Sequence, residues 1–546
     1  MFWALQKRYR AILAREEGYY GKVWGKPLHI CLAYPHAYNA GMSNLGFQTV
    51  YDLFNRHPDC LCDRVFLPGP EEEGEFVKAR QTLFSLESQR PLTDFDIIAF
   101  SLSFENDYPN ILKMLALGGI PLLAQERDES VPLIMGGGIA VTLNPEPLAD
   151  FFDFFLLGEA EEIIVPLLKV CLRSLRSEMT REQVLMRFQQ EITGAYAPRF
   201  YQVTYGTSGQ IAGRLPLQEG LPEKIKKARL GDIDSCLTEQ CITTAEAELG
   251  GMFLVEVSRG CRRGCRFCAA GYACLPARFR NKLQLEKSFL KALARGQRKI
   301  GLLGTAVSDH PDLLDLCRFI RERGGEVAIG SLRLDKVEPE LVRLLKEGGA
   351  ATLSLAPEAG SQRLRDFIAK GISEEQIFHA VEVLGREGIT KIRLYFMIGL
   401  PTEAEEDIEA IIQLTKKIRN WAGEQKPVVR SFKRITLSIN QFIPKAGTPF
   451  QRYSLANIEQ VKKKVRRLAA ALRQEPAIRL IHDLPKWNYM QALLALGDRR
   501  TGAILLALHH AGGDWSKVLR EARVDPDFYV YREKDREEML PWDFID

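Results

Sequence analysis

The sequence predicts an α/β protein in three parts: an N-terminal doubly wound, Rossmann-like parallel sheet, a central partial (β/α)6 barrel and a C-terminal helical region. Three observations carry this. Five short apolar runs between Leu28 and Leu157 alternate with helical stretches, the pattern of parallel strands joined by crossover helices. Six more strand–helix units follow from Gly251. Beyond about residue 450 the chain turns to helical patterning mixed with basic and aromatic residues.

Residues 1–27 are amphipathic, then rich in Gly and Tyr, and form an arm ahead of the first domain. Within residues 28–175 the expected strands are Leu28–Tyr34, Arg64–Leu67, Phe95–Ser103, Leu133–Met135 and Phe152–Leu157. Ligands of such sheets sit beyond the carboxyl ends of the strands. Here those ends carry Pro35–Gly46, Ser101–Tyr108, Gly136–Pro147 and Gly158–Glu162, all rich in Gly, Asn or Ser. Residues 176–248 read as a polar connector with a small β element around Y-G-T-S-G-Q.

In residues 249–450 the strands Phe253–Ser258, Lys299–Gly304, Glu326–Gly330, Ala351–Ala356, Lys391–Ile398 and Ile435–Gln441 alternate with helices such as Asp309–Arg323, Glu338–Glu347, Glu374–Gly385 and Glu403–Ile418. Chemistry in such barrels gathers where the strands end. Residues 451–546 form the C-terminal helical region, opened by the basic amphipathic helix Ser454–Arg473. Its rings and charges, among them His482, Trp487, Asp498 and Arg499, are read as core packing or as a cap on the barrel mouth. The ending M-L-P-W-D-F-I-D is expected to dock back on the body.

Composition bounds the function. A chain of 546 residues is too long for one core. A net charge of +4 on that length gives no field that argues for nucleic acid. No apolar stretch approaches the roughly 18 residues needed to cross a bilayer, so no membrane partner is expected. The N-terminus lacks a signal-peptide pattern. Eleven cysteines, the best three in a metal-type pattern, point to a reducing cytoplasm.

Those three are Cys261, Cys265 and Cys268 in V-S-R-G-C-R-R-G-C-R-F-C-A-A-G, on a Gly-punctuated loop after the first barrel strand. Three thiolates from one short loop suit an iron–sulfur cube and ligate three of its four irons. A closed zinc site would want a fourth Cys or His; Cys274 is the one nearby thiol, and no His stands within the loop. Arg259, Arg262, Arg263, Arg266, Arg278, Arg280 and Lys282 crowd the same segment. They read either as counter-charge to an anionic cluster or as bidentate clamps on a substrate phosphate or carboxylate.

The C-x3-C-x-aromatic-C spacing, with Phe267 before the third cysteine, resembles the signature of the radical S-adenosylmethionine (SAM) superfamily. The resemblance implies that Cys261, Cys265 and Cys268 are catalytic and metal-binding. They would hold a [4Fe-4S] cluster whose fourth iron takes SAM and cleaves it reductively to a 5′-deoxyadenosyl radical. It also implies cofactor contacts at Phe267, at Gly304 and Thr305 where relatives have G-G-E, at Arg333, at Glu358, Ser361 and Arg363 in A-P-E-A-G-S-Q-R-L-R, and at Gly399 in I-G-L-P-T-E. A flavodoxin- or ferredoxin-type electron donor is implied with them.

The N-terminal half resembles the cobalamin-binding-like domain fused ahead of many radical SAM cores, through N-A-G-M-S-N-L-G, L-F-S-L-E-S, F-D-I-I-A-F-S-L-S-F-E, N-P-E-P-L-A-D-F-F-D and G-E-A-E-E. The D-x-H-x-x-G motif is missing, and His29, His36 and His57 do not sit in it. Cobalamin therefore stays open as a third cofactor, with methyl transfer as its outcome. The substrate, small molecule or RNA, is not fixed. The sixth strand, N-Q-F-I-P-K-A-G-T-P-F-Q, resembles that of methylthiotransferase-like relatives and keeps tRNA or rRNA modification as an alternative, beside a non-catalytic Fe–S binding protein.

Overall fold

The structure, a computed structural model, describes residues 2–177, 179–424 and 432–546. Strands β1 (Leu28–Tyr34), β2 (Cys60–Phe66), β3 (Ile97–Ser101), β4 (Leu133–Gly137) and β5 (Phe154–Leu156) run parallel in the order β2-β1-β3-β4-β5, with the short β6 (Ala195–Tyr196) antiparallel at the edge. Their continuous apolar runs reflect burial on both faces, as parallel sheets require; every residue of β2 is buried. In this order the carboxyl ends of β1 and β3 form the topological switch point. The connector contributes a helix, Arg181–Glu191, capped reciprocally by Thr180 and Gln183, and the hairpin of β7 (Tyr201–Tyr205) and β8 (Ile211–Pro216).

The barrel consists of two four-stranded sheets. One holds β9 (Met252–Arg259), β10 (Arg278–Phe279), β11 (Lys299–Gly304) and β12 (Glu326–Ile329) in the order β10-β9-β11-β12. The other runs β13 (Thr352–Glu358), β14 (Lys391–Ile398), β15 (Arg434–Gln441), β16 (Ile478–His482). A parallel bridge between Leu332 and Leu355 joins them. Helices cover the outside with apolar stripes at i, i+3, i+4 and i+7, as in Leu313, Leu316, Cys317 and Ile320.

The C-terminal region is helical, as predicted, with one strand among its helices: β16 adds a seventh parallel strand beside β15. Its apolar positions, Ile478, Leu480 and Ile481, fit either period over five residues, so patterning alone cannot separate strand from helix there. The terminal segment does dock back. Trp542 Nε1 donates to Gln451 Oε1 at 2.7 Å, Ile225 N donates to Phe544 O at 2.7 Å, and the Arg214 guanidinium lies 3.8 Å from the Phe544 ring. Among the described residues no helix is long and apolar enough to cross a membrane.

Candidate active site

The loop between β9 and β10 carries the three cysteines at the carboxyl end of the first barrel strand. Gly260 opens it with φ +78°, and a Cβ there would meet the Cys274 carbonyl at 2.4 Å, so only glycine fits. Two backbone bonds pin the loop across the barrel mouth: Arg266 N to Ile368 O at 3.0 Å and Phe450 N to Arg266 O at 3.2 Å. The Phe267 ring packs into an apolar patch with Leu364, Leu400, Phe442 and Phe450, which explains an aromatic beside the third thiol.

All three thiols are half-buried. Burial pushes the Cys265 and Cys268 thiols up, and nearby Lys370 works against it at both. Cys261 and Cys268 converge around Gly271, whose Cβ position lies 3.8 Å from Cys268 Sγ and 3.9 Å from Cys261 Cβ. Among the described residues no group of three or more His, Cys, Asp or Glu closes around one metal ion, and Cys274 completes no such set.

The other sequence candidates gather on the same rim, mostly in contact with protein partners. Gly304 lies against β9, its Cβ position 2.4 Å from Ser258 Oγ, and Thr305 beside it is exposed. Arg333 donates from Nε to Asp335 Oδ1 at 3.0 Å and, through its backbone N–H, to Ser308 Oγ at 3.2 Å. Glu358 ends β13 with φ +67°, a left-handed conformation costly for a side-chain-bearing residue, and pairs with Lys370 at 3.0 Å. Ser361 caps the helix Gln362–Phe367, accepting from Leu364 N at 3.2 Å, and donates to Asp407, which also holds Arg363. Gly399 has φ +76° and donates to Glu403 Oε2 at 2.9 Å.

Lys370 and Arg365 are missed by sequence reasoning: Lys370 belongs to no motif, and Arg365 closes A-P-E-A-G-S-Q-R-L-R without a spacing that sets it apart. Arg365 is fully buried and donates to the carbonyls of Ala359 at 3.0 Å, Gly360 at 2.8 Å and Ile372 at 3.1 Å, fixing the turn after Glu358. Replacing it by methionine strands three buried acceptors, and R365M is expected to lose about 3 kcal/mol of stability in urea unfolding.

Most of these cations do not stand free for a substrate, as one reading allowed; Arg262 and Arg266 alone among them have no carboxylate partner among the described residues. Arg259 pairs with Glu159 at 3.1 Å and Glu161 at 2.7 Å, the N-cap and a first-turn residue of the helix Ala160–Arg176 that follows β5. Arg278 pairs with Glu159 at 2.5 Å, Arg280 with Glu256 at 2.6 Å, Arg263 with Asp309 at 2.6 Å and Lys282 with Asp315 at 2.8 Å. Arg259 and Arg278 face each other across the β9–β10 pair, so the N-terminal sheet grips both ends of the cysteine loop. The helix after the cysteines, Ala269–Ala273, packs on Ile139–Leu143 from the loop after β4.

Residues 46–198 match the family described as Radical SAM proteins, N-terminal, and residues 255–415 match the Radical SAM superfamily. The chain belongs to the radical SAM superfamily. An uncharacterized protein of Methanocaldococcus jannaschii is 29% identical over 482 residues, covering 87% of this chain and 90% of that protein. The threonylcarbamoyladenosine tRNA methylthiotransferase MtaB of Aquifex aeolicus is 27% identical over 215 residues, 37% of this chain and 52% of its own. The radical S-adenosylmethionine methyltransferase TsrM from Kitasatospora setae, solved with cobalamin and a [4Fe-4S] cluster bound, shares the fold at TM-score 0.51 and 10% identity, covering 91% of this chain and 99% of that one.

Membership makes this protein a radical SAM enzyme and implies a [4Fe-4S] cluster and SAM as its cofactors. The donor set fits. Three thiols converge on one loop without closing around a single ion, as ligands to separate irons of one cube would. A buried thiol resists losing its proton, and iron ligation supplies the compensating charge.

Proposed function

We propose that Cys261, Cys265 and Cys268 ligate the cluster and that the barrel rim binds SAM for hydrogen abstraction from an unreactive carbon. When bound, the cluster would pass one electron to SAM, breaking its sulfonium bond to methionine and a 5′-deoxyadenosyl radical that takes the hydrogen. The convergence of the thiols at the carboxyl end of β9 carries this reading. The chain's own part is to bind, orient and exclude water. Phe267 and its apolar patch shield one side of the loop, and Lys370 supplies a positive charge beside the thiols. Gly304, Thr305, Arg333, Glu358, Ser361, Arg363 and Gly399 line the rim on which SAM would lie; Arg333 would exchange Asp335 for the SAM carboxylate.

The N-terminal sheet would hold a corrinoid, with methyl transfer as the outcome. Support comes from the switch point between β1 and β3, where Asn44 Nδ2 donates to Ser103 Oγ at 3.0 Å and Asn106 Oδ1 is buried without a hydrogen-bond partner among the described residues. Burial, with Glu105 nearby, pushes the Asp107 carboxyl up to about 6 against the pull of His36. The RNA-modifying alternative rests on the methylthiotransferase-like sixth strand; the basic helix Ile458–Leu472 adds little to it, because Lys464 and Arg467 are spent on Glu403, Glu405 and Glu409. A cytoplasmic setting and a flavodoxin- or ferredoxin-type donor complete the proposal.

Anaerobically reconstituted protein, reduced with dithionite in the presence of SAM, is expected to release 5′-deoxyadenosine and methionine. Release of neither would overturn the catalytic reading. Titration with hydroxocobalamin, followed by absorbance, decides the corrinoid separately: no spectral change and no retention on gel filtration would remove it.

A further inference from the structure

Three carboxylates gather around one guanidinium in the interior of the N-terminal domain. Arg64, on β2, is fully buried and donates from Nη1 to Glu16 Oε1 at 2.9 Å and from Nη2 to Glu16 Oε2 at 2.6 Å. Its Nε donates to Glu87 Oε1 at 2.6 Å and its backbone N–H to Glu87 Oε2 at 2.7 Å. Asp63, the preceding residue, is buried too, and its Oδ2 accepts from Ser85 Oγ at 2.8 Å, from Ser88 N at 3.0 Å and from Ser88 Oγ. The remaining neighbours bring no charge. The Tyr38 hydroxyl donates to Glu16 at 2.5 Å, the Tyr51 ring lies 4.9 Å from the guanidinium, and Met42 Sδ accepts from Nη1 at 3.2 Å. Burial pushes the Cys31 and Cys62 thiols up, so they stay protonated. Among the described residues Arg64 is the one cation bonded to these carboxylates.

We propose that a proton on Glu87 latches the N-terminal arm, residues 2–17, holding it when bound and loosening it when lost. The three acids come from separate segments: Glu16 from the arm, Asp63 from β2 and Glu87 from L-F-S-L-E-S. When Glu87 is neutral, Glu16 docks on Arg64 and Asp63, whose charges cancel. When Glu87 is ionised, Glu16 enters a buried site that already carries excess negative charge, and repulsion there is poorly screened. Burial pushes the Glu87 carboxyl up to about 7, and Asp63 adds to that against the pull of Arg64. An acid raised in the folded state lends stability at acid pH and loses it as the pH climbs. The arm is therefore held in mild acid and slackens above neutrality. Its other ties, Arg8 to Glu75 at 3.0 Å, Gln89 Nε2 to Gln6 O at 2.9 Å and Glu17 N to Thr243 O at 3.0 Å, make this a loosening rather than a release. The hold extends to the switch point, because Tyr38 opens the helix that ends two residues before Asn44, the donor to Ser103.

The test follows amide hydrogen exchange of the full-length protein by mass spectrometry at about pH 6 and about pH 8.5, on either side of the Glu87 transition. Wild type is compared with D63N and with E87Q at each pH, which cancels the intrinsic exchange rate. D63N removes one negative charge and keeps an oxygen for the three donors; E87Q removes the titrating group itself. At the lower pH, arm peptides of wild type and D63N are expected to exchange at about the same rate. At the higher pH the wild-type arm should exchange about tenfold faster than that of D63N, while strand β15 shows one ratio throughout. E87Q should follow D63N; if it fails to fold, D63N decides alone. A ratio of wild type to D63N in the arm that does not change with pH would overturn the proposal. So would an arm in E87Q that exchanges faster than wild type at both values, since Glu87 would then be a static acceptor.

Discussion

Replacing Cys261, Cys265 and Cys268 together by alanine is expected to reduce bound iron to background and to abolish 5′-deoxyadenosine formation, while C274A keeps both. The contrast follows from geometry. Cys274 is also a half-buried thiol close by in sequence, but it lies at the end of the Ala269–Ala273 helix, with its carbonyl against Gly260. Folding should survive the triple change, because the loop is pinned by backbone bonds at Arg266 and Phe450 rather than by its thiols. Iron assay, the absorbance of the reconstituted cluster and far-UV circular dichroism, read together, separate loss of ligation from loss of structure. Full iron content in the triple variant would refute the assignment.

The second large effect is expected far from the thiols. Asp153 is fully buried and accepts from Arg127 Nη1 at 3.1 Å, from Arg181 Nε at 2.9 Å and Nη2 at 2.7 Å, and from Ile134 N at 2.8 Å. Burial, joined by repulsion from Arg181 and Arg199, pulls the Arg127 guanidinium down to about 10 although Asp153 opposes it, so this carboxylate balances two interior cations. D153A leaves both uncompensated and is expected to cost about 3–5 kcal/mol, read as an earlier urea transition of the N-terminal sheet. Combining it with R127M, which removes one stranded charge, should recover part of the loss. A midpoint for D153A within error of wild type would show that the charges reach water.

These two sites show what patterning can and cannot disclose. Strands β1, β11 and β14 stand where the patterning put them, residue for residue: β1 is an apolar run buried on both faces, and β14 alternates buried with half-buried positions at the strand period. The cysteine loop was legible because metal ligation imposes fixed spacing. The conspicuous phrases of the N-terminal half were legible as words but not as contacts. In N-P-E-P-L-A-D-F-F-D, Asn144 donates to Ala495 O at 3.1 Å and Gly497 O at 2.8 Å, Glu146 holds Arg499 at 2.9 Å, and Asp153 holds Arg127 and Arg181. Glu105, from F-D-I-I-A-F-S-L-S-F-E, pairs with Lys445 at 2.5 Å. The partners of Asn144, Glu146 and Glu105 lie more than 300 residues away and those of Asp153 lie 26 and 28 away, and no local period encodes any of them. Lys370 escaped for the same reason, since the thiols it faces are far from it along the chain; Arg365 holds carbonyls only five to seven residues away, in an irregular turn that no period marks.

Glu159 bonds to both Arg259 and Arg278, and that double attachment governs how the two halves of the chain can be inherited. A chimaera that takes its first half from a distant cousin brings a foreign residue to face two guanidinium groups at the root of the metal-bearing segment. Transplants should therefore succeed only when acidic and basic members travel as one cassette, which makes the boundary near residue 250 a poor place to cut and splice.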